Sequence, residues 1–148
     1  MNNPNKNCVC TAIEHIHDLQ DAVQKPLISC YSNLLTVPSL GDTIPFILFT
    51  KDGSLVKAFG NVGDDCFHTF FFRVEHIHDC CVTLRLLLPL DKIGHFVQFQ
   101  DDDDVCRVDE LIRTNNCIEV DLSCFCGIQC LSPRLLRGTN MSLLYTCY

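Results

Sequence analysis

The feature that most constrains the fold is a succession of short apolar segments, separated by turn-forming residues, between residues 44 and 122. Segments rich in Phe, Ile, Val and Leu and bounded by Gly, Asp and Asn predict β-strands. Six or seven strands are expected, over residues 44–50, 55–59, 67–77, 82–88, 95–99, 105–112 and 118–122. The first two should form a hairpin around Gly53. Short strands at this spacing favour an antiparallel β-sandwich or barrel.

One segment near the N-terminus has helical periodicity instead. Its apolar residues recur at helical spacing: Val9, Ala12, Ile13, Ile16, Leu19 and Val23. Thr11 and Glu14 match a capping box, and Pro26 ends the pattern. We therefore predict an amphipathic helix over residues 11–24, packed on the sheet. The fold class is α+β, in a single domain spanning residues 1–148, with residues 1–7 flexible and residues 134–148 a tail of no predicted structure.

Length and charge exclude several functions. A chain of 148 residues buries roughly 70% of its extended surface on folding, so its core does not require disulfides. The net charge of −7 disfavours binding to the phosphates of nucleic acid, which needs clustered Lys and Arg. No stretch is long and apolar enough to span a membrane. We expect neither a nucleic-acid nor a membrane partner.

Twelve cysteines are an unusual number for such a chain. The polar N-terminus, MNNPNKNC, has no apolar stretch of the kind found in secretory signal peptides. The chain was either cleaved, exported by another route or made in a reducing cytosol. The thiols then serve metal binding, redox chemistry or a late oxidation that links finished subunits.

The pentapeptide EHIHD occurs twice, at residues 14–18 and 75–79. On the predicted helix the two histidines lie about 200° apart, so the first copy is interpreted as a charged surface. On a strand, alternate side chains share one face, so His76, His78 and Cys80 could converge on zinc or copper. This metal site is the alternative hypothesis. The aspartate run 101–104 lacks the spacing of a calcium loop and is interpreted as a solvated turn.

The spacing of the cysteines argues against zinc ribbons and thioredoxin-type redox sites, because no Cys-x-x-Cys pair is present. No catalytic motif is recognisable either, so we predict no catalytic residues and no cofactor. Cys106 and Cys117 are expected to be buried as small hydrophobes. Cys8, Cys10 and Cys147 lie near the chain ends, where thiols can reach a neighbouring molecule.

The segment TNNCIEVDLSCFCGIQCL, residues 114–131, resembles the C-terminal signature of the cysteine-rich spore coat protein Y/Z family of endospore-forming bacteria, which includes the exosporium assembly protein. Segments 16–20, 44–51, 58–60 and 71–75 also resemble sequences of this family. The similarity extends roughly from Cys8 to Pro133. The cysteine motif of the family matches Cys117, Cys124, Cys126 and Cys130.

The resemblance implies a structural protein rather than an enzyme. Proteins of this family are made in the mother-cell cytoplasm without a signal peptide and self-assemble, as hexamers, into hexagonal lattices on the spore surface. The layer is the outer coat, the crust or the exosporium base, where other coat or exosporium proteins are partners. Disulfides then harden the layer. Cys8, Cys10 and Cys147 are our candidates for inter-subunit links, and Cys124, Cys126 and Cys130 for intra-subunit links.

Overall fold

The structure is a computed structural model that describes residues 6–24 and 42–136. A single long helix, α1, precedes a series of strands. The helix spans Cys8–Gln24, and the strands are β1 Phe46–Thr50, β2 Ala58–Gly60, β3 Phe67–Thr69, β4 Phe72–His78, β5 Cys81–Leu90, β6 Glu110–Asp121 and β7 Phe125–Cys130. Three short 3-10 helices span Asp102–Arg107, Leu122–Cys124 and Pro133–Leu136.

Five strands form one antiparallel sheet in the order β6-β5-β4-β1-β7, and β2 pairs with β3 in a second sheet of two strands. The long β5 lies inside the larger sheet, next to its β6 edge, and pairs with both β4 and β6. The helix packs on β4 and β7. The predicted α+β class, with an N-terminal helix on antiparallel sheets, is confirmed.

The main core lies between α1 and one face of the larger sheet. Helical spacing places Val9, Ile13 and Ile16 on the inner side of α1, where each is buried. They meet fully buried sheet residues: Phe46, Leu48, Phe72, Leu84 and Leu86. Burying side chains of this size stabilises a fold by about 1.5–3 kcal/mol each, so this interface holds the helix in place.

A smaller cluster covers the opposite face of the sheet. Ile47, Phe71, Leu87 and Leu111 are buried there, under partly buried residues of the two longer 3-10 segments and the loops beside them. β5 contributes to both clusters, and residues 82–87 are all buried. Its sequence is continuously apolar over residues 86–88, as expected where both faces of a strand are covered. Thr83 and Arg85, by contrast, are buried through hydrogen bonds to Glu119 and Glu75.

The helix begins earlier than predicted, because Asn7 rather than Thr11 caps it. The side chain of Asn7 accepts a hydrogen bond from the backbone N–H of Cys10 at 2.8 Å. Its amide group also donates to the carbonyls of Leu122 and Phe125, at 3.0 and 3.2 Å. Asn7 therefore joins the helix to the start of β7, and the flexibility of residues 1–7 stays a prediction. Residues 1–5 lie outside the described residues.

Several predicted strands differ in the structure. The predicted hairpin around Gly53 is present but short: Leu55 bridges Phe49, and the N–H of Val56 donates to the Leu48 carbonyl at 3.0 Å. The chain then leaves β1, because β2 pairs with β3. The segment 67–77 is divided into β3 and β4. Thr69 marks the division, since its hydroxyl donates to the carbonyl of Leu87 and accepts from the N–H of Phe71. Residues 95–99 form no strand, although Phe96 bridges Leu90 and the N–H of Val97 donates to the Pro89 carbonyl at 3.1 Å.

The aspartate run forms a turn, as predicted. The side chain of Asp101 accepts from the N–H of Asp103 at 3.0 Å, and the Asp104 side chain reaches back to the N–H of Asp101. This capping box starts the 3-10 helix Asp102–Arg107, which replaces the first half of the predicted strand 105–112. The predicted strand 118–122 falls largely within β6.

Candidate functional site

The cysteines fall into two structural groups, and the first is an internal disulfide. Cys10 on α1 and Cys80 in the turn between β4 and β5 are bonded, with their Cα atoms 5.5 Å apart. Cys10 has no exposed surface. The expectation that Cys10 lies at an exposed chain end and links subunits is therefore wrong. Its bond joins the helix to the sheet across 70 residues of sequence.

The sequence contained a signal for this placement. On a helix that begins at Cys8, position 10 lies on the same side as Ile13 and next to Val9, so it belongs to the buried stripe. The prediction failed because the helix was assigned a start at Thr11, which left Cys10 in the terminal segment.

The second group consists of exposed thiols. Seven cysteines of the described residues are exposed and unbonded: Cys8, Cys66, Cys81, Cys106, Cys124, Cys126 and Cys130. Cys8 is thus exposed, as predicted. Cys106 is also exposed, although it was predicted to be buried. Cys117 on β6 is half-buried and is also disulfide-bonded, so it is not the buried small hydrophobe that was predicted. Cys147 lies outside the described residues. Sequence reasoning did not select Cys66 or Cys81, which follow no motif and lie in a loop and at the start of β5.

Three of the exposed thiols lie along the last strand. Cys124 ends a 3-10 turn, and Cys126 and Cys130 belong to β7. Four residues of extended strand separate Cα atoms by about 13 Å, well beyond the roughly 7 Å limit for a disulfide. Cys126 and Cys130 of one chain therefore cannot bond to each other, and their expected intra-subunit role stays a prediction that needs other partners.

These thiols have different surroundings. The sulfur of Cys126 lies 3.0 Å from the carbonyl oxygen of Thr50 and acts as its donor. Neighbouring atoms partly desolvate the thiol of Cys130, and this burial raises its pKa. A raised pKa reduces the thiolate fraction and slows oxidation near neutral pH. Cys130 should therefore oxidise more slowly than a fully solvated thiol with the ordinary pKa.

The residues of the alternative metal site do not converge. His76 and His78 are exposed on β4, and the sulfur of Cys80 is committed to the bond with Cys10. Within residues 6–24 and 42–136, no group of three His, Cys, Asp or Glu side chains is placed to hold a metal ion. The geometry therefore gives no support to the zinc or copper alternative.

The second EHIHD copy has a structural role through its glutamate. Glu75 accepts hydrogen bonds from Arg73 and from Arg85, which face each other across β4 and β5. Burial would raise the pKa of Glu75, but the hydrogen bond from Arg85 and the charge of Arg73 outweigh it and lower the pKa. At the same sheet face Arg113 donates to Asp42 at 2.9 Å, and Arg73 donates to the Asp42 carbonyl.

This network fixes two arginines that are each only 5% exposed. Buried arginines persist in a fold when carboxylates and carbonyls neutralise and satisfy them. The sequence showed the pentapeptide but not this pairing, because Arg85 is ten residues away on another strand. In the first copy Glu14 pairs with Lys6 at 2.5 Å on the surface.

Together these features define a class of protein: a small cysteine-rich α+β protein with a packed core and thiols that face outward. A family model described as Spore coat protein Z matches residues 1–133. The chain is 49% identical over 146 residues to Spore coat protein Z of Bacillus subtilis (strain 168), and the match covers 95% of this chain and 99% of that relative. The chain therefore belongs to the spore coat protein Z family, which confirms the resemblance. No solved structure matches it.

None of the helices in the described part of the chain is both long enough and apolar enough to cross a membrane.

Proposed function

We propose that this chain is a structural protein of the bacterial spore surface that self-assembles into a hexagonal two-dimensional lattice, which disulfides later harden. It is made in the mother-cell cytoplasm, and its partners are further copies of itself, as hexamers, and other coat or exosporium proteins. Membership of the spore coat protein Z family supports the spore-surface role. The observation that carries the hardening step is the set of seven exposed, unbonded cysteines.

Those seven thiols are not needed for the core. The apolar clusters on both sides of the sheet are complete without them. Free exposed thiols are a liability for a chain that stays monomeric, because they react with oxidants and with one another. They are useful to a subunit whose neighbours are held at fixed positions, where each thiol meets a defined partner.

Assembly and hardening are separate steps in this proposal. In a reducing cytosol thiols stay reduced, so the first contacts are non-covalent. Each later bond joins two thiols as one disulfide and releases two electrons and two protons. Molecular oxygen accepts them and becomes hydrogen peroxide. Cross-linking then converts a reversible lattice into a resistant layer.

The test uses the full chain and a variant in which the seven exposed cysteines are replaced by serine. Both are purified in reductant and imaged by electron microscopy, and then exposed to air and treated with denaturant. We expect ordered sheets from both proteins in reductant, with only the oxidised parent resisting denaturant. A Cys10→Ser, Cys80→Ser variant is the matched control and should harden like the parent.

Two results would overturn the proposal. The absence of ordered sheets from the parent under any reducing condition would remove the lattice. Sheets of the seven-serine variant that resist denaturant as well as the oxidised parent would show that the exposed thiols do not harden the layer.

A further inference from the structure

The outer edge of β7 differs from the other end of the larger sheet. β7 is the last strand of the order β6-β5-β4-β1-β7, and no described residue pairs with its outer side. An edge strand presents backbone N–H and C=O groups that can pair with another strand, and proteins commonly protect such edges with charge or proline. The sequence of β7, FCGIQC, contains neither. At the opposite edge, β6 carries Glu110, Arg113, Glu119 and Asp121.

The register shows which backbone groups of β7 point outward. Phe46 pairs with Cys130 and Leu48 with Ile128, and the N–H of Leu131 donates to the carbonyl of Pro45 at 2.8 Å. Alternate residues of an antiparallel strand point their backbone groups to opposite sides. Leu131 and Gln129 therefore bond towards β1, whereas the backbone groups of Ile128 and Cys130 point away from it.

Building on the proposed self-assembly, we infer that β7 docks antiparallel against β7 of a second copy, with a two-fold axis at Ile128. Ile128 then exchanges backbone hydrogen bonds with Ile128 of the other copy. The same register places Cys126 of each copy opposite Cys130 of the other. The contact is isologous, as closed two-fold contacts between identical subunits are.

A second copy suits this edge because the strand is uncharged. The chain has a net charge of −7, so most self-contacts bring like charges together. A contact made through FCGIQC avoids that repulsion. Cys126 and Cys130 each lie two residues from Ile128. A two-fold axis at Ile128 therefore places Cys126 of each copy opposite Cys130 of the other.

The distances allow two disulfides across this contact. Residues that exchange backbone hydrogen bonds in an antiparallel pair have Cα atoms about 5.5 Å apart, within the 4.4–6.8 Å range of disulfides. Cys126 is the extra residue of a bulge opposite Phe49 and Thr50, and its sulfur lies against the Thr50 carbonyl. The regular spacing therefore holds for residues 127–130, and Cys126 reaches Cys130 of the second copy when its side chain turns away from Thr50. Each bond forms from two thiols, with molecular oxygen accepting the two electrons and two protons.

Single-cysteine variants test the reciprocity directly. In a background where Cys8, Cys66, Cys81, Cys106 and Cys124 are serine, Cys126→Ser and Cys130→Ser proteins are prepared separately, one with a heavy-isotope label. When either variant is oxidised alone, it contains only one of the two cysteines that form the inferred bond. Mixed and oxidised, Cys130 of the first meets Cys126 of the second. We expect a disulfide dimer in the mixture at least tenfold more abundant than in either variant alone, with a mass-spectrometric peptide joining the labelled to the unlabelled chain.

Three outcomes would overturn the inferred contact: no dimer in the mixture, equal dimerisation of each variant alone, or a bond that joins other residues. All three variants, including the parent of this background, are imaged in reductant as well. Sheets that are ordered in reductant but yield no 126–130 bond after oxidation would reject this contact and leave the proposed lattice intact. Loss of sheets from the unmodified full chain would instead count against the proposed function.

Discussion

The guanidinium of Arg85 donates two hydrogen bonds to the carboxylate of Glu75, from Nε at 3.0 Å and from Nη2 at 3.3 Å. The two residues lie on adjacent strands, and Arg73 shares the same carboxylate. This arrangement places one negative charge between two nearly buried positive charges. Glu75 is therefore the central member of the network, and its loss leaves both guanidinium groups without their carboxylate.

Replacing Glu75 by alanine should destabilise the protein by about 3–5 kcal/mol, the usual cost of breaking a buried ion pair. Urea unfolding followed by circular dichroism measures this change. The matched control is Glu110→Ala at the start of β6, where the carboxylate is not part of the network, and it should change the free energy of unfolding by less than about 1 kcal/mol. Equal effects of the two substitutions would show that the network contributes little.

The same carboxylate predicts a dependence of stability on pH. The pKa of Glu75 lies below its ordinary value of 4.5 in the folded protein, because hydrogen bonds and the charges of the arginines outweigh burial. The unfolded chain therefore binds this proton more readily, so the contribution of Glu75 is present above its unfolded pKa and is lost as pH falls through the folded pKa. Asp42 has a lowered pKa of the same origin, with Arg113 and Arg73 outweighing burial.

This dependence is measured as the free energy of unfolding between about pH 6 and pH 3. The parent should lose stability steadily on acidification from about pH 4.5 downward. Glu75→Gln, which cannot titrate, should start less stable and lose less over the same range. A variant whose profile runs parallel to that of the parent would rule out Glu75 as a source of the acid sensitivity.

The sequence predicted those elements whose pattern of apolar residues lies within a single helix or strand. The helical stripe and the apolar segments of β1 and β5 were recognisable because each buries a face or both faces of a single element. The segment 95–99 alternates like a strand but forms none, because pairing is decided by neighbours that the local pattern does not contain. The start of the helix was missed because Asn7, three residues before Cys10, is a cap that sequence reasoning assigned to a flexible terminus.

The candidate site was predicted less well, for the same physical reason. Exposure of Cys8 followed from position, but the bond between Cys10 and Cys80 depends on packing between residues 70 positions apart. The strand spacing of Cys126 and Cys130 was visible in the sequence. Their inability to bond within one chain became evident only once both were assigned to one extended strand.

The cap supplied by Asn7 can be tested with two substitutions that separate its functions. Asn7→Asp keeps the side-chain oxygen that accepts from Cys10 but removes the amide that donates to Leu122 and Phe125. Asn7→Ala removes both. We expect alanine to cost about 1–2 kcal/mol, the upper part of the range for N-caps, and aspartate to cost less. Thermal unfolding measures both, and an alanine variant as stable as the parent would mean that the helix start is not fixed by Asn7.

The disulfide between Cys10 and Cys80 should stabilise the chain by about 4 kcal/mol, because it closes a long loop in the unfolded state. The prediction is that reductant lowers the melting temperature of the parent, and lowers that of a Cys10→Ala, Cys80→Ala variant by less, because only the bond of Cys117 is then left to reduce. Cys81→Ser is the matched control: it lies next to Cys80 but is exposed, so it should keep the full response to reductant. If the parent and the double variant respond alike, another bond is responsible. If neither responds, the 10–80 bond does not form in solution, and the helix is held to the sheet by apolar packing and by the hydrogen bonds of Asn7.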